Sequence, residues 1–307
     1  MEGVKMEKIN KLWQNYKFPI ILLVAIVFLS AWAVNAGIFE SKEFPSLTSS
    51  TVTTLLVIGF LAGVLGGLIG TGGCAIMLPA LHFWLGYPMP IAVGTTLFAV
   101  IFTATSGGCG HLVRRNLDKR ATLWLGGFGV VGVLLGSAAF VFLSGNAALL
   151  SLILGLAFLL PSIRMIWEGA ISAKKHMEGN TIAGSPKKLG TFGFIIGILT
   201  GIVGLGGGYA LVPGLIYLFG APVYITMGTS LAVMIPLALV GGIIKLTQGF
   251  VALGAGLLLA GGTIVGAQIG AAVIKKFSTN TLKLIFGAYF LYVSAKFIAA
   301  YFGVIIW

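Results

Sequence analysis

The sequence predicts an all-α polytopic membrane protein. It consists of two inverted-topology repeats with broken or re-entrant helix hairpins, plus one extra N-terminal transmembrane helix. Three observations predict this. Of 307 residues, 58% are hydrophobic and 8% charged, with a mean hydropathy of +1.07, too little polar side chain to cover a soluble domain of this length. Apolar runs of about 20 residues recur, the length that crosses a hydrocarbon core of roughly 30 Å. Finally, segments 59–97 and 193–231 align without a gap at an offset of 134, and sixteen of the 39 pairs are identical. The identities include the helix breakers. Gly70, Gly72 and Gly73 match Gly204, Gly206 and Gly207; Pro79 and Pro88 match Pro213 and Pro222; Gly94-Thr95 matches Gly228-Thr229.

The elements follow in order. The first apolar run, 18–39, comes after Lys5, Lys8, Lys11 and Lys17. It is read as a retained helix: Val34-Asn35-Ala36 resembles a cleavage site, but the apolar stretch is too long and the basic region too extended for a typical signal peptide. Residues 40–50 then lie outside. Each repeat supplies a hydrophobic pair (52–85; 190–219) followed by three long helices, at 90–113, 121–144 and 147–167 in the first and 223–248, 251–274 and 281–301 in the second. The pair returns to the side it entered from, whether it spans twice or re-enters. Each repeat therefore crosses an odd net number of times and the second is inverted. The organisation is 1–51 (N-terminus, first helix, outer loop), 52–167 (first repeat), 168–189 (linker) and 190–307 (second repeat), forming one integral membrane domain.

Charge placement orients the chain. Besides the N-terminal lysines, basic groups occur at Arg114, Arg115, Lys119 and Arg120, at Lys174, Lys175, Lys187 and Lys188, and at Lys275, Lys276 and Lys283. A cytoplasmic N-terminus puts all four groups inside, as the positive-inside rule demands, and leaves the C-terminus outside. The net charge of +12 is explained by topology, and no nucleic-acid partner is expected. Cys74 and Cys109 lie in apolar segments, so no disulfide framework is indicated.

The breakers point to a site. The second arms of the pairs, 74–85 and 208–219, follow the glycine turns and are too short to span. A helix that begins at mid-membrane exposes its first N–H groups and the positive end of its dipole, and glycine lets an anion approach that backbone closely. The candidate substrate-binding residues are Gly70, Gly72, Gly73, Gly204, Gly206 and Gly207, with hydroxyls from Thr95, Thr96, Thr229 and Ser230. The rival reading is that the glycines serve helix packing alone, which does not account for a duplicated Gly-x-Gly-Gly with a proline six residues later. A loose dinucleotide match at Gly70-x-Gly72-x-x-Ala75 lacks the βαβ pattern and acidic residue it needs.

His111 and Lys245 occupy one repeat position and are candidates for a gate or anion attraction at the two mouths of the path, with snorkelling to the interface as the alternative. His82 reads as structural, and Arg164 and Lys296 as snorkelling. All seven acidic residues (Glu2, Glu7, Glu40, Glu43, Asp118, Glu168, Glu178) map to termini or loops, which argues against a carboxylate cation site or an Asp/Glu proton relay. No catalytic constellation, metal site or cofactor motif is present, so an intramembrane enzyme is the weakest reading.

These residues resemble the sulfite exporter TauE/SafE family of membrane transporters. The likeness lies in GGLIGTGG at 66–73, Pro79, AVGTT at 92–96, HLVRRNLDKR at 111–120, and in the second half 201–208, Pro213 and Gly228-Thr229-Ser230-Leu231. It covers about 52–302. Cys74, where a glycine is usual, and Cys109 depart from the pattern. The resemblance implies a secondary transporter moving a small sulfur-containing anion (sulfite, thiosulfate, sulfoacetate or a related organosulfonate) across the cytoplasmic membrane by alternating access, with a small-anion channel as the alternative. Its partners are then the anionic substrate and the lipid bilayer; homo-oligomerisation is left open.

Overall fold

The computed structural model describes residues 17, 19–29, 47–171, 179, 181–274 and 278–304. The rest of the 18–39 run, the N-terminal lysines before Lys17, residues 40–46 of the outer segment, linker residues 172–178 and 180, Lys275, Lys276 and Trp307 lie outside the described residues. Pro19–Leu29 is a short apolar helix, α1. The first repeat comprises α2 (Ser49–Ile69), α3 (Cys74–Pro79, running into a π turn at Ala80–Trp84), α4 (Met89–Val113), α5 (Lys119–Ser144) and α6 (Ala147–Ile171). The second comprises α7 (Pro186–Val203), α8 (Gly208–Leu218), α9 (Val223–Thr247), α10 (Leu253–Val273) and α11 (Thr279–Tyr301). Among the described residues, eight helices are long and apolar enough to cross a membrane. At the offset of 134, α4 and α9 begin and end at equivalent residues, and α8 matches α3 with its π turn.

The starts of α2, α5, α7 and α11 fall two to four residues before the expected ones because polar caps extend them. The hydroxyls of Thr48, Ser185 and Ser278 accept from Thr51, Lys188 and Thr281 N–H, and an Asp118 carboxylate oxygen accepts from Ala121 N–H; each satisfies a donor the helix cannot. The connection between the repeats is also shorter than 168–189. Helix α6 continues past Trp167 to Ile171, and Pro186 opens α7, so Lys187 and Lys188 sit in a first helical turn. Proline at the first helical position costs no hydrogen bond and pre-sets the backbone.

The broken arms have a local cause. Helix α8 has eleven residues, about 16 Å at 1.5 Å per residue, half of a hydrocarbon core. In α3, Pro79 supplies no N–H, and the chain after it widens so that Leu85 N–H reaches Ala80 O at 3.0 Å. Both arms close alike, with Tyr87 N–H on Leu81 O and Ala221 N–H on Leu215 O, each at 3.0 Å.

Packing pairs α2 with α10, α5 with α7, α6 with α11 and α4 with α9. Exchanging the two repeats maps this pattern onto itself. Glycine every fourth residue places Gly59, Gly63 and Gly67 on one face of α2. A Cβ at any of them would lie under 3.0 Å from a backbone oxygen of α10, at Leu259, Thr263 or Ala267. The equivalents on α7 do the same to α5: Gly193 meets Leu125 O, Gly197 meets Gly129 O and Gly201 meets Val133 O. Without water to drive helices together in lipid, such backbone approach is a main source of association. The outer surface carries large apolar side chains such as Leu123, Phe142 and Leu160, each at least three-quarters exposed, as a lipid-facing surface requires.

Candidate functional site

Each turn is built from three left-handed glycines. Gly70 ends α2 with φ +83° and donates its N–H to Gly66 O at 2.9 Å; Gly204 ends α7 with φ +71° and donates to Thr200 O at 2.8 Å. Gly72 and Gly73 have φ of +71° and +73°, Gly206 and Gly207 of +66° and +84°. An L side chain in this region costs about 1–2 kcal/mol, which is why glycine recurs at these six positions. Gly207 O accepts from both Ala210 and Leu211 N–H, at 3.0 and 2.8 Å. The N–H groups of Gly208 and Tyr209 therefore precede the first intrahelical bond of α8 and form its donor end.

The two turns meet. A Cβ on Gly72 would lie 2.5 Å from Met234 Cε, and one on Gly206 would lie 2.6 Å from the same atom and 2.8 Å from Val100 Cγ1. Val100 and Met234 are themselves repeat partners, on α4 and α9. A Cβ on Gly208 would touch Thr71 Cα at 2.6 Å, so the backbone of one turn lies against the other. The turns are buried, and the unbranched Met234 side chain fills the space between them. Two cavities, of about 560 and 750 Å³, lie beside α7 and α8, and neither is lined by a turn glycine.

The hydroxyls are exchanged between repeats. Ser230 Oγ on α9 donates to Gly70 O of the first-repeat turn at 2.8 Å. Its counterpart Thr96 on α4 is fully buried and its hydroxyl has no partner. Thr229 Oγ1 accepts from Asp118 N–H at 3.0 Å and Thr95 Oγ1 from Ala252 N–H at 2.9 Å. Thr95 and Thr229 thus tie the entry to α10 and α5, and of the four expected hydroxyls only Ser230 is bonded to a turn.

His111 and Lys245 are both fully buried. His111 Nε2 is 2.8 Å from Gly67 O, and Lys245 Nζ donates to Gly201 O at 2.9 Å, the same contact in each repeat. Lys245 Nζ also lies 3.2 Å from the centre of the Phe140 ring. Neither side chain reaches outward, so the snorkelling alternative does not hold for them: each pins the end of its helix to the helix leading into a turn. Lys296 is likewise buried rather than snorkelling, with Nζ over Phe83 and Tyr292, while Arg164 lies over the Tyr217 ring. His82 Nδ1 is 2.9 Å from Tyr87 O, a structural role.

Asp118 is a loop residue but a buried one. Its Oδ1 accepts from Ala121 N–H at 3.0 Å and its Oδ2 from Ile182 N–H at 2.7 Å, fastening the inter-repeat connection to α5. Cys74 Sγ donates to Thr71 O at 3.1 Å inside the first turn, which accounts for a small polar residue there. Sequence reasoning missed the Val100 and Met234 pair and Thr200, a fully buried residue whose hydroxyl has no partner. The equal offset of 134 between Val100 and Met234 was the one signal available.

The family described as "Sulfite exporter TauE/SafE" matches residues 55–297. The chain is similar to a "Probable membrane transporter protein YdhB" of Bacillus subtilis (strain 168), at 30% identity over 217 residues covering 71% of this chain and 88% of that protein. It is 29% identical to "Probable membrane transporter protein MJ0441" of Methanocaldococcus jannaschii, over 75% of this chain and 89% of that one. A 108-residue stretch, 32% of this chain, is 44% identical to 23% of the "Sulfite exporter TauE/SafE family protein 6" of Arabidopsis thaliana. No solved structure matches significantly.

Proposed function

This chain belongs to the sulfite exporter TauE/SafE family and is a multi-pass membrane transporter, and we propose that it moves a small sulfur-containing anion across the cytoplasmic membrane by alternating access. One observation supports this above the others. Two glycine turns, each opening a half-length helix, converge on the single side-chain pair Val100 and Met234. A half-helix N-terminus offers unpaired N–H groups and about half a positive charge, and its position deep in the protein favours an anion more strongly than a surface site would. Burial of both turns fits an occluded state, in which displacement of the Met234 side chain admits substrate from one side or the other.

The repeats are proposed to be inverted, with the N-terminus and linker in the cytoplasm and the C-terminus outside. In a chain with Cys74 and Cys109 replaced by alanine, a cysteine at Lys174 should react only with reagent that enters the cell, and one at Trp307 with impermeant reagent added outside. Labelling of both from one side would remove the inversion.

The transport reading is tested by flux of sulfite, thiosulfate and sulfoacetate into proteoliposomes. Saturable uptake accelerated by unlabelled anion on the opposite side is expected. Flux that rises linearly with concentration and shows no counterflow would establish a channel. The absence of flux for every one of these anions would overturn the substrate class.

A further inference from the structure

The two turns share their glycines but not their surroundings. In the first repeat the position one helical turn before the first turn glycine is Gly66, which bears no side chain. In the second it is Thr200, whose hydroxyl is fully buried and unpartnered. A threonine inside a helix ordinarily returns its hydroxyl to a carbonyl three or four residues earlier, as Thr103 does to Ala99 O. The Thr200 hydroxyl instead lies 2.7 Å from where a Cβ on Gly207 would be, aimed at the N-cap of α8.

Three further differences fall on the same side. Ser230 is bonded to the first turn, at Gly70 O, whereas its counterpart Thr96 has a free hydroxyl. Thr96 stands one helical turn from Val93, whose carbonyl abuts Gly204. The basic residue bonded to the helix entering the turn is an imidazole at the first, His111, and an ammonium at the second, Lys245. Lys245 bonds the carbonyl of Gly201, the residue next to Thr200, and uses one of its three N–H donors there. Among the described residues the buried carboxylate is Asp118, whose two oxygens are taken by Ala121 and Ile182 N–H. A buried ammonium without a carboxylate is costly, and a bound anion offsets that cost. Finally, α8 is a continuous helix of eleven residues, while α3 runs only six before its π turn.

We propose that the oxyanion is held at the second-repeat turn, Gly204–Gly207. The N–H groups opening α8 and the Thr200 hydroxyl donate to its oxygens, and Lys245 supplies the neighbouring charge. The first-repeat turn is its structural counterpart, closed by Ser230 and Cys74. This assignment rests on the transport reading above and narrows it to one turn.

The test is equilibrium binding of radiolabelled sulfite, thiosulfate and sulfoacetate to the purified full chain, with thermal unfolding measured on the same samples. Thr200→Val, which keeps the shape and removes the hydroxyl, should weaken binding about tenfold, the effect of one hydrogen bond to a charged group. Thr200→Ala should do the same, and Thr200→Ser should bind within about threefold of the original. Lys245→Met should weaken binding by tenfold or more, for a dianion more than for a monoanion. A folded Thr200→Val or Thr200→Ala protein that binds normally, or a Thr200→Ser protein as weak as Thr200→Val, overturns the assignment while the transport reading stands. An original chain that binds none of the three anions overturns both.

Discussion

Gly197→Ala should yield no stably folded protein. Gly197 sits where α7 crosses α5, and an added Cβ would lie well under 3.0 Å from Gly129 O, with Gly129 Cα at 3.0 Å. Both partners are backbone, so neither can rotate away. The helices would have to separate by an ångström or more along a contact that also includes Gly193 with Leu125 and Gly201 with Val133. Overpacking in a close-packed interior costs about 1–3 kcal/mol when side chains can adjust; here the cost is greater because a whole helix pair must move. The informative control is Gly127→Ala, on α5 itself, where nothing lies within 4 Å of the new Cβ. It should be neutral or slightly stabilising, since alanine favours a helix by up to about 1 kcal/mol over glycine. Size-exclusion chromatography of the solubilised proteins and their thermal unfolding read the contrast. A monodisperse Gly197→Ala protein with an unchanged melting temperature would mean that α5 and α7 do not touch as described.

Gly206→Ala should fold and lose anion binding by more than tenfold. Its φ of +66° makes any side chain strained, at about 1–2 kcal/mol. The atoms its Cβ would meet, however, are the tip of Met234 and a methyl of Val100, and an unbranched methionine moves easily. Gly204→Ala meets the Val93 backbone carbonyl instead, so it should lose stability first. Binding and packing are thereby separated within one turn. If the glycines serve only to pack helices, the folded Gly206→Ala protein binds sulfite and its relatives as the original does. If they keep a backbone cradle open, the new methyl occupies the approach to α8 and affinity falls while the melting temperature drops only slightly. Binding and unfolding measured on both variants decide between these outcomes.

The legible part of the fold was the part with local causes. The six turn glycines break helices through their own backbone chemistry, so their repetition at one offset located the half-helices to within a residue or two. The apolar runs gave the long helices in the same way. Their starts at Lys119 and Thr279 were placed late because the capping groups, Asp118 and Ser278, precede the apolar run that marks each helix.

The glycine turns were legible in the sequence, and the partners of the polar side chains around them were not. Thr95, Thr96, Thr229 and Ser230 occupy two adjacent repeat positions, yet two of them hold loop backbone, one holds the opposite turn and one has no partner. His111 and Lys245 stand near helix ends, where a basic residue in lipid commonly reaches outward; here the neighbouring helices present the carbonyls of Gly67 and Gly201 and draw both inward.

By itself, then, the sequence determined that this chain is a duplicated membrane protein with two broken hairpins, because hydrophobic length and helix breaking are properties of contiguous residues. The tertiary structure alone decided which residues complete each turn. The bond from Ser230 to Gly70 spans 160 residues, and the approach of both turns to Val100 and Met234 depends on α4 packing against α9. Such contacts arise from how glycine faces let helices approach, and periodicity along one helix carries no record of the partner it will meet.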